Sequence, residues 1–161
     1  MTPRQYNKCV DEYADRVFRF IVKHTRHEAN ARDVVQNAFE ILWRNHTKVD
    51  IEKAKAYLFS VARNNMIDGI RKMKRISHVE SFPEQSDTFN HYDQTAVQDL
   101  LHQGLAQLNE TYKSILLLRD YEGYSYKEIA TIMNLNEAQV KVNIFRARKK
   151  LKTVLMRIEG C

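Results

Sequence analysis

Only six of the 161 residues are glycine or proline, four and two respectively. Sandwiches, barrels and doubly wound α/β folds turn the chain often and need such residues at their turns. A chain this poor in them, with apolar residues recurring at three- and four-residue intervals, is expected to fold as helices throughout. Leu, Ile, Val, Phe, Tyr and Met are spread along the whole length, which excludes general disorder. The longest purely aliphatic run, Ile115 to Leu118, is far short of the ~20 apolar residues of a membrane helix. The opening Met1-Thr2-Pro3-Arg4 lacks the apolar core of a signal peptide, so a cytoplasmic protein without membrane insertion is expected. Cys9 and Cys161 stand at opposite ends, outside any C-x-x-C pair, which argues against a disulfide or zinc framework. They read as a buried spare thiol and a loose end.

The net charge of +6 is distributed unevenly. Residues 1–75 carry sixteen Lys and Arg against nine Asp and Glu, a surplus of +7. Residues 76–95 carry four acids (Glu80, Glu84, Asp87, Asp93) and no Lys or Arg, whereas residues 96–161 carry ten cations against seven acids. Two basic modules around an acidic segment suit a polyanionic partner, with solvated surface charge as the plainer alternative. Residues 76–95 also lack a sustained apolar period and are read as a flexible linker between two small all-α domains, 1–75 and 96–161. Twenty residues span ~66–72 Å when stretched and ~25 Å as a random coil, enough to join sites one or two DNA turns apart.

In the first block an apolar face from Tyr6 to about His27 (Val10, Tyr13, Ala14, Val17, Phe18, Phe20, Ile21) predicts one helix. A second is expected from Asn30, as its cap, with Val34, Val35, Ala38, Phe39, Leu42 and Trp43 inward and Asp33, Gln36, Asn37, Glu40 and Arg44 on a polar stripe. After a loop over Asn45–Lys53, a long helix from Ala54 to Arg75 turns Leu58, Val61, Ala62, Met66, Ile70 and Met73 to the core. Its other side carries Ser60, Asn64, Asp68, Arg71, Lys72 and Arg75. With Tyr57 and Arg63 near the same surface, that face combines a ring, amides and cations, a mixture that holds unstacked bases by stacking and edge hydrogen bonds.

In the second block Asn109 caps a helix that buries Tyr112, Ile115, Leu116 and Leu118 and ends at Gly123. Ser125-Tyr126-Lys127-Glu128 is a capping box opening a short helix that buries Ile129, Ala130 and Met133. Asn134-Leu135-Asn136 forms the bend, Asn134 tolerating a left-handed backbone and Asn136 capping the last helix. That helix buries Val140, Ile144, Ala147, Leu151 and Val154, and the plan is a helix-turn-helix. It carries seven cations (Lys141, Arg146, Arg148, Lys149, Lys150, Lys152, Arg157) with no acid between Glu137 and Glu159. Glu137, Ala138, Gln139, Lys141 and Asn143 occupy the early turns from which a recognition helix reaches base edges, and Arg146, Arg148 and Lys149 follow at phosphate-gripping positions.

Both blocks together resemble the extracytoplasmic-function sigma factors of bacterial RNA polymerase. The core-binding helix of that family resembles residues 31–43, its promoter-opening helix residues 56–68, and its C-terminal domain Leu108–Leu118, Tyr124–Ala130 and Val140–Leu151. The resemblance implies a non-enzymatic initiation subunit that needs no cofactor or metal. It implies core-polymerase contacts by Asp33, Gln36, Asn37, Phe39, Glu40 and Trp43. Minus-ten contacts and opening would come from Lys48, Tyr57, Arg63, Asn64, Asp68, Arg71, Lys72 and Arg75, and minus-thirty-five contacts from Ser125, Glu137, Ala138, Gln139, Lys141, Asn143, Arg146, Arg148 and Lys149. It further implies an acidic linker threading toward the polymerase active-site channel, a monomer when free, and, as for many members, restraint by an anti-sigma factor. The chain departs from the family pattern at Asn37 (commonly an acid), Tyr57 (often Trp), Asn109 (usually Pro), Asn134 (usually Gly) and Gln139 (usually Thr). The alternatives are a helix-turn-helix activator or repressor with an N-terminal sensing or dimerisation domain, and an enzyme. The one candidate metal cluster for the latter, His24-x-x-His27-Glu28, lacks a fourth ligand.

Overall fold

The computed structural model describes residues 1–77 and 96–160, and every regular element among them is helical. The chain divides into two compact units, residues 1–89 and 90–161. The expected linker from residue 78 to residue 95 lies outside the described residues, as does Cys161.

The first unit is three helices packed pairwise: α1 (Pro3–Thr25), α2 (Glu28–Arg44) and α3 (Ile51–Ser77). Helix α1 starts three residues earlier than its apolar face suggested. Thr2 and Gln5 form a reciprocal capping box, and proline is well placed in a first turn whose N–H groups lack helical partners. It stops at Thr25 because Arg26 turns left-handed (φ 57°). The cap of α2 is therefore His27, whose Nδ1 accepts the Asn30 N–H at 3.0 Å; Asn30 itself lies inside the helix. Helix α3 begins at Ile51, three residues into the expected loop, and continues two residues into the expected linker. Val17, Phe20 and Ile21 of α1, Ala38 and Leu42 of α2 and Leu58, Phe59 and Ala62 of α3 are fully buried. Phe20 and Phe59 meet edge to face at 5.6 Å, a geometry contributing about 0.5–1.5 kcal/mol beyond the area buried. Two residues expected to point inward do not: Trp43 is 44% and Met73 43% exposed. Val34, Val35, Val61 and Ile70 are only half-buried, because three helices of this length cover only part of one another's circumference.

The second unit comprises α4 (Ala96–Ala106), α5 (Glu110–Leu116), a π-helical turn (Leu117–Tyr121), α6 (Tyr126–Met133) and α7 (Glu137–Glu159). Helix α4 was not delineated from the sequence; it packs on α7, as α5 and α6 do. The approach is close at Gly104, where a Cβ would come within 2.8 Å of Leu155 Cδ2 and 2.9 Å of Leu151 Cδ1. The capping expectations match the geometry. Asn109 Oδ1 accepts the Tyr112 N–H at 2.8 Å, Ser125 and Glu128 cap reciprocally, Gly123 is left-handed, and so is Asn134 (φ 55°). Ile115–Leu118, Ile129, Ile132, Val140, Ile144, Ala147 and Val154 form the core, while Tyr112 and Leu151 are half-buried at its edge.

Candidate functional site

On α2 the burial of Ala31, Ala38, Phe39 and Leu42 turns Asp33, Gln36, Asn37 and Glu40 together into solvent, as helical periodicity requires. Phe39 lies beneath this stripe, and its carbonyl accepts the Tyr6 hydroxyl at 3.0 Å. Trp43 stands beside the stripe, not under it: its ring stacks on His46 at 4.3 Å and meets Tyr6 edge-on at 5.0 Å. Pro3, Tyr6, Asn7, Glu40, Trp43 and Arg44 line an open groove of about 590 Å³. Tyr6 is thus part of this surface through a contact across helices that no local pattern in the sequence signals. Burial, then the Glu40 charge, raises its phenol above the usual range, so it stays a neutral donor at physiological pH.

On α3, Tyr57, Asn64, Asp68, Arg71 and Arg75 fall at i, i+7, i+11, i+14 and i+18, one stripe facing away from Leu58, Ala62 and Met66. Tyr57 is half-buried and held, its hydroxyl accepting Asn45 Nδ2–H at 3.1 Å while Asn45 also donates to the Ile41 carbonyl. One edge of the ring is thereby anchored to the bend between α2 and α3. Asp68, Arg71, Lys72, Lys74 and Arg75 line a recess of about 610 Å³. Lys48 is exposed in the same bend. Arg63 sits roughly 100° around the helix from Asn64, half-buried and off the stripe.

In the second unit Ser125, Glu137, Ala138, Gln139, Lys141, Arg146, Arg148 and Lys149 are exposed and Asn143 is half-buried. Three of them are already engaged, Ser125 through its capping box with Glu128. Gln139 completes a capping box with Asn136: its Oε1 accepts the Asn136 N–H at 2.9 Å, which holds the side chain back against the start of its own helix. Arg148 is paired from outside its own helix, with Asp120 of the π-helical turn at 2.6 and 3.3 Å, and this bond raises the guanidinium further above its ordinary value. The seven cations of α7, with no acid between Glu137 and Glu159 in sequence, thus gain one carboxylate partner from outside the helix. A local acid search along the helix cannot see Asp120, 28 residues earlier. The same turn carries Arg119, which donates to the Tyr124 carbonyl at 2.8 Å and lies 4.7 Å over the Tyr126 ring. Also missed were Val142 and Phe145, 45% and 70% exposed on α7.

The residues that could suggest an enzyme have structural roles. His24 is buried against Phe20, His27 caps α2, and Glu28 pairs with Arg32 at 2.5 Å. Cys9 is buried, and burial raises its thiol above the usual range. Among the described residues no helix is long and apolar enough to cross a membrane.

Two family models match the chain, Sigma-70 region 2 over residues 9–76 and Sigma-70 region 4 over residues 98–151. The ECF RNA polymerase sigma factor SigM of Bacillus subtilis is 32% identical over 154 residues, covering 90% of this chain and 91% of SigM. The ECF RNA polymerase sigma factor SigL of Mycobacterium tuberculosis is 30% identical over 155 residues, covering 92% and 87%. Two solved structures share the fold at 22% identity. They are the sigma factor RpoE of Bartonella quintana in complex with the anti-sigma factor NepR (TM-score 0.77; 93% of this chain, 96% of that one) and CnrH in complex with the cytosolic domain of CnrY (TM-score 0.72; 96% and 89%). The alternative of a helix-turn-helix activator leaves the region 2 match over residues 9–76 without a counterpart. With both sigma regions present in order and two relatives aligned over nearly their whole lengths, the chain belongs to the extracytoplasmic-function family of RNA polymerase sigma factors, non-enzymatic subunits of transcription initiation.

Proposed function

We propose that the two units divide initiation between them: residues 1–75 bind core polymerase and open the minus-ten element, and residues 96–161 hold the minus-thirty-five element. The observation that carries this reading is that α2 and α3 each expose one continuous chemical face, and the two differ. Asp33, Gln36, Asn37 and Glu40 present acids and amides, suited to a protein surface with basic and amide groups. Tyr57, Asn64, Arg71 and Arg75 present a ring, an amide and cations, suited to a melted strand. Asp68 lies on the second face among the cations, Lys48 and Lys72 flank it, and Arg63 supports it from the side. Phe39 holds the first face from beneath, and Trp43 extends it.

On α7 the early side chains Glu137, Ala138, Gln139, Lys141 and Asn143 lie nearest the bases, while Arg146, Arg148, Lys149 and the Ser125 end of α6 position the domain on phosphates. The four acids of residues 76–95 would follow a cationic path in the polymerase that RNA later takes. The protein acts in the cytoplasm, where its polymerase is, and is monomeric when free. An anti-sigma factor restrains it, a reading supported by the RpoE–NepR complex that shares its fold.

The test is reconstitution. Core polymerase plus the full chain should initiate at promoters that core alone ignores, and Asp33→Arg should abolish co-purification with core while leaving helicity unchanged. Normal core binding by that variant would refute the assignment of the α2 face.

A further inference from the structure

Between residues 141 and 152, α7 carries six cations: Lys141, Arg146, Arg148, Lys149, Lys150 and Lys152. Among the described residues, Arg148 is the one of these with a carboxylate partner. It lies beside the buried line of Val140, Ile144 and Ala147, on the flank that meets the π-helical turn. Asp120 takes it with both oxygens, Oδ1 at 2.6 Å from Nη2 and Oδ2 at 3.3 Å from Nε. A guanidinium holds a phosphate with the same two-pronged geometry. Asp120 therefore occupies the N–H groups of Arg148 that a DNA phosphate would use.

The turn that presents this carboxylate is braced from the other side. Leu117 and Leu118 are buried in the core, and the Leu118 carbonyl accepts the Tyr124 N–H at 3.0 Å. Arg119 donates to the Tyr124 carbonyl at 2.8 Å and lies over the Tyr126 ring. The pair itself is 51% and 40% exposed, within reach of a ligand. Exposed ion pairs are weak and screened by salt, so an anion aligned with the fork can replace the carboxylate.

We propose that Asp120 is a specificity-determining residue: it neutralises Arg148 on DNA of unrelated sequence and yields it, in part, to a phosphate that the promoter complex holds in register. This rests on the assignment of Arg148 to a DNA phosphate and adds what controls that contact. Binding to unrelated DNA is electrostatic, and each phosphate met adds about 0.9 to its salt slope. A cation cancelled by a carboxylate of its own chain adds little there. In the promoter complex other contacts fix the register, and an aligned phosphate competes with Asp120 for the fork. The carboxylate thus weakens the wrong complexes more than the right one, a discrimination that needs no base contact.

The experiment uses holoenzyme reconstituted with the full chain. It compares a promoter duplex selected by the unaltered holoenzyme with a duplex of unrelated sequence, between about 50 and 200 mM salt. Asp120→Asn removes the charge, keeps the shape and leaves one acceptor oxygen. It should steepen the salt slope on the unrelated duplex by close to one, and that on the promoter by less. Its gain in affinity for the unrelated duplex should shrink about threefold across this salt range, the share of one phosphate contact. Preference for the promoter should fall accordingly. Combined with Arg148→Ala, the same substitution should leave the slope where Arg148→Ala alone puts it.

A pair that only braces the fold would lower the melting temperature of Asp120→Asn and leave both slopes unchanged, which would overturn the proposal. An equal rise on both duplexes would overturn it too, as would a rise that persists in the double variant and so belongs to net charge. If Arg148→Ala altered no slope whether residue 120 were Asp or Asn, the phosphate assignment of Arg148 would fail first and the proposal with it.

Discussion

The outward faces of α2 and α7 are built on opposite plans. On α2, polar side chains occupy the line opposite the core, and Asp33, Gln36 and Asn37 project from it as expected from periodicity. On α7, the line opposite the core is apolar at Val142 and Phe145, and two of the polar residues expected to act outward are tied back into the protein. The difference teaches that helical periodicity predicts which side chains reach solvent but not which of them are chemically available. A guanidinium 51% exposed can still have its fork filled by a carboxylate from another element, as Arg148 does.

The strongest way to break the comparison is Asp33→Arg. If the α2 stripe meets basic groups on polymerase, a reversed charge there costs several kcal/mol. Co-purification with core should be lost while circular dichroism stays the same. A milder perturbation tests the packing that aims α7. Gly104→Val inserts atoms where a Cβ already crowds Leu151 and Leu155, and overpacking of this kind costs about 1–3 kcal/mol. Thermal unfolding of the variant should begin at lower temperature, and an unchanged melting curve would mean that α4 yields easily.

Next in size is Tyr57→Ala. One stacked base contributes ~1–3 kcal/mol, so strand opening should suffer more than closed-complex formation. Permanganate footprints that match the parent's would remove Tyr57 from the melted strand. Asn45→Ala sharpens this test, because it releases the Tyr57 hydroxyl without deleting the ring; its footprint should fall between those of the parent and Tyr57→Ala.

The smallest effect separates Arg148 from its neighbour Lys149. A cation that meets a phosphate contributes about one unit to the slope of affinity against salt. Lys149→Ala should lower the slope by close to one. Arg148→Ala should lower it by less, because Asp120 already neutralises that charge. Asp120→Asn should raise the slope by freeing Arg148 for DNA. Equal slopes for the two alanine variants would mean that the Asp120 pair opens completely on binding.

The sequence by itself determined whatever depends on neighbours along the chain. Low glycine and proline content and a 3.6-residue apolar period led to an all-helical fold. Ser125 with Glu128, and Asn109, Asn134 and Asn136 at helix ends, located the helix-turn-helix, because capping bonds link residues no more than a few positions apart. The exposed stripe of Asp33, Gln36, Asn37 and Glu40 was legible for the same reason. Tertiary structure decided what depends on residues distant in sequence. Trp43 was expected in the core, yet its ring packs on His46 and Tyr6 at the surface, because a three-helix unit leaves that side of α2 uncovered. Asn45 anchors Tyr57, Asp120 holds Arg148, and the π-helical turn that carries Asp120 has no apolar period of its own to announce it. Such bonds form only once the core has brought the helices together. Packing distance, not position in the chain, thus sets which of the outward side chains remain free to meet a partner.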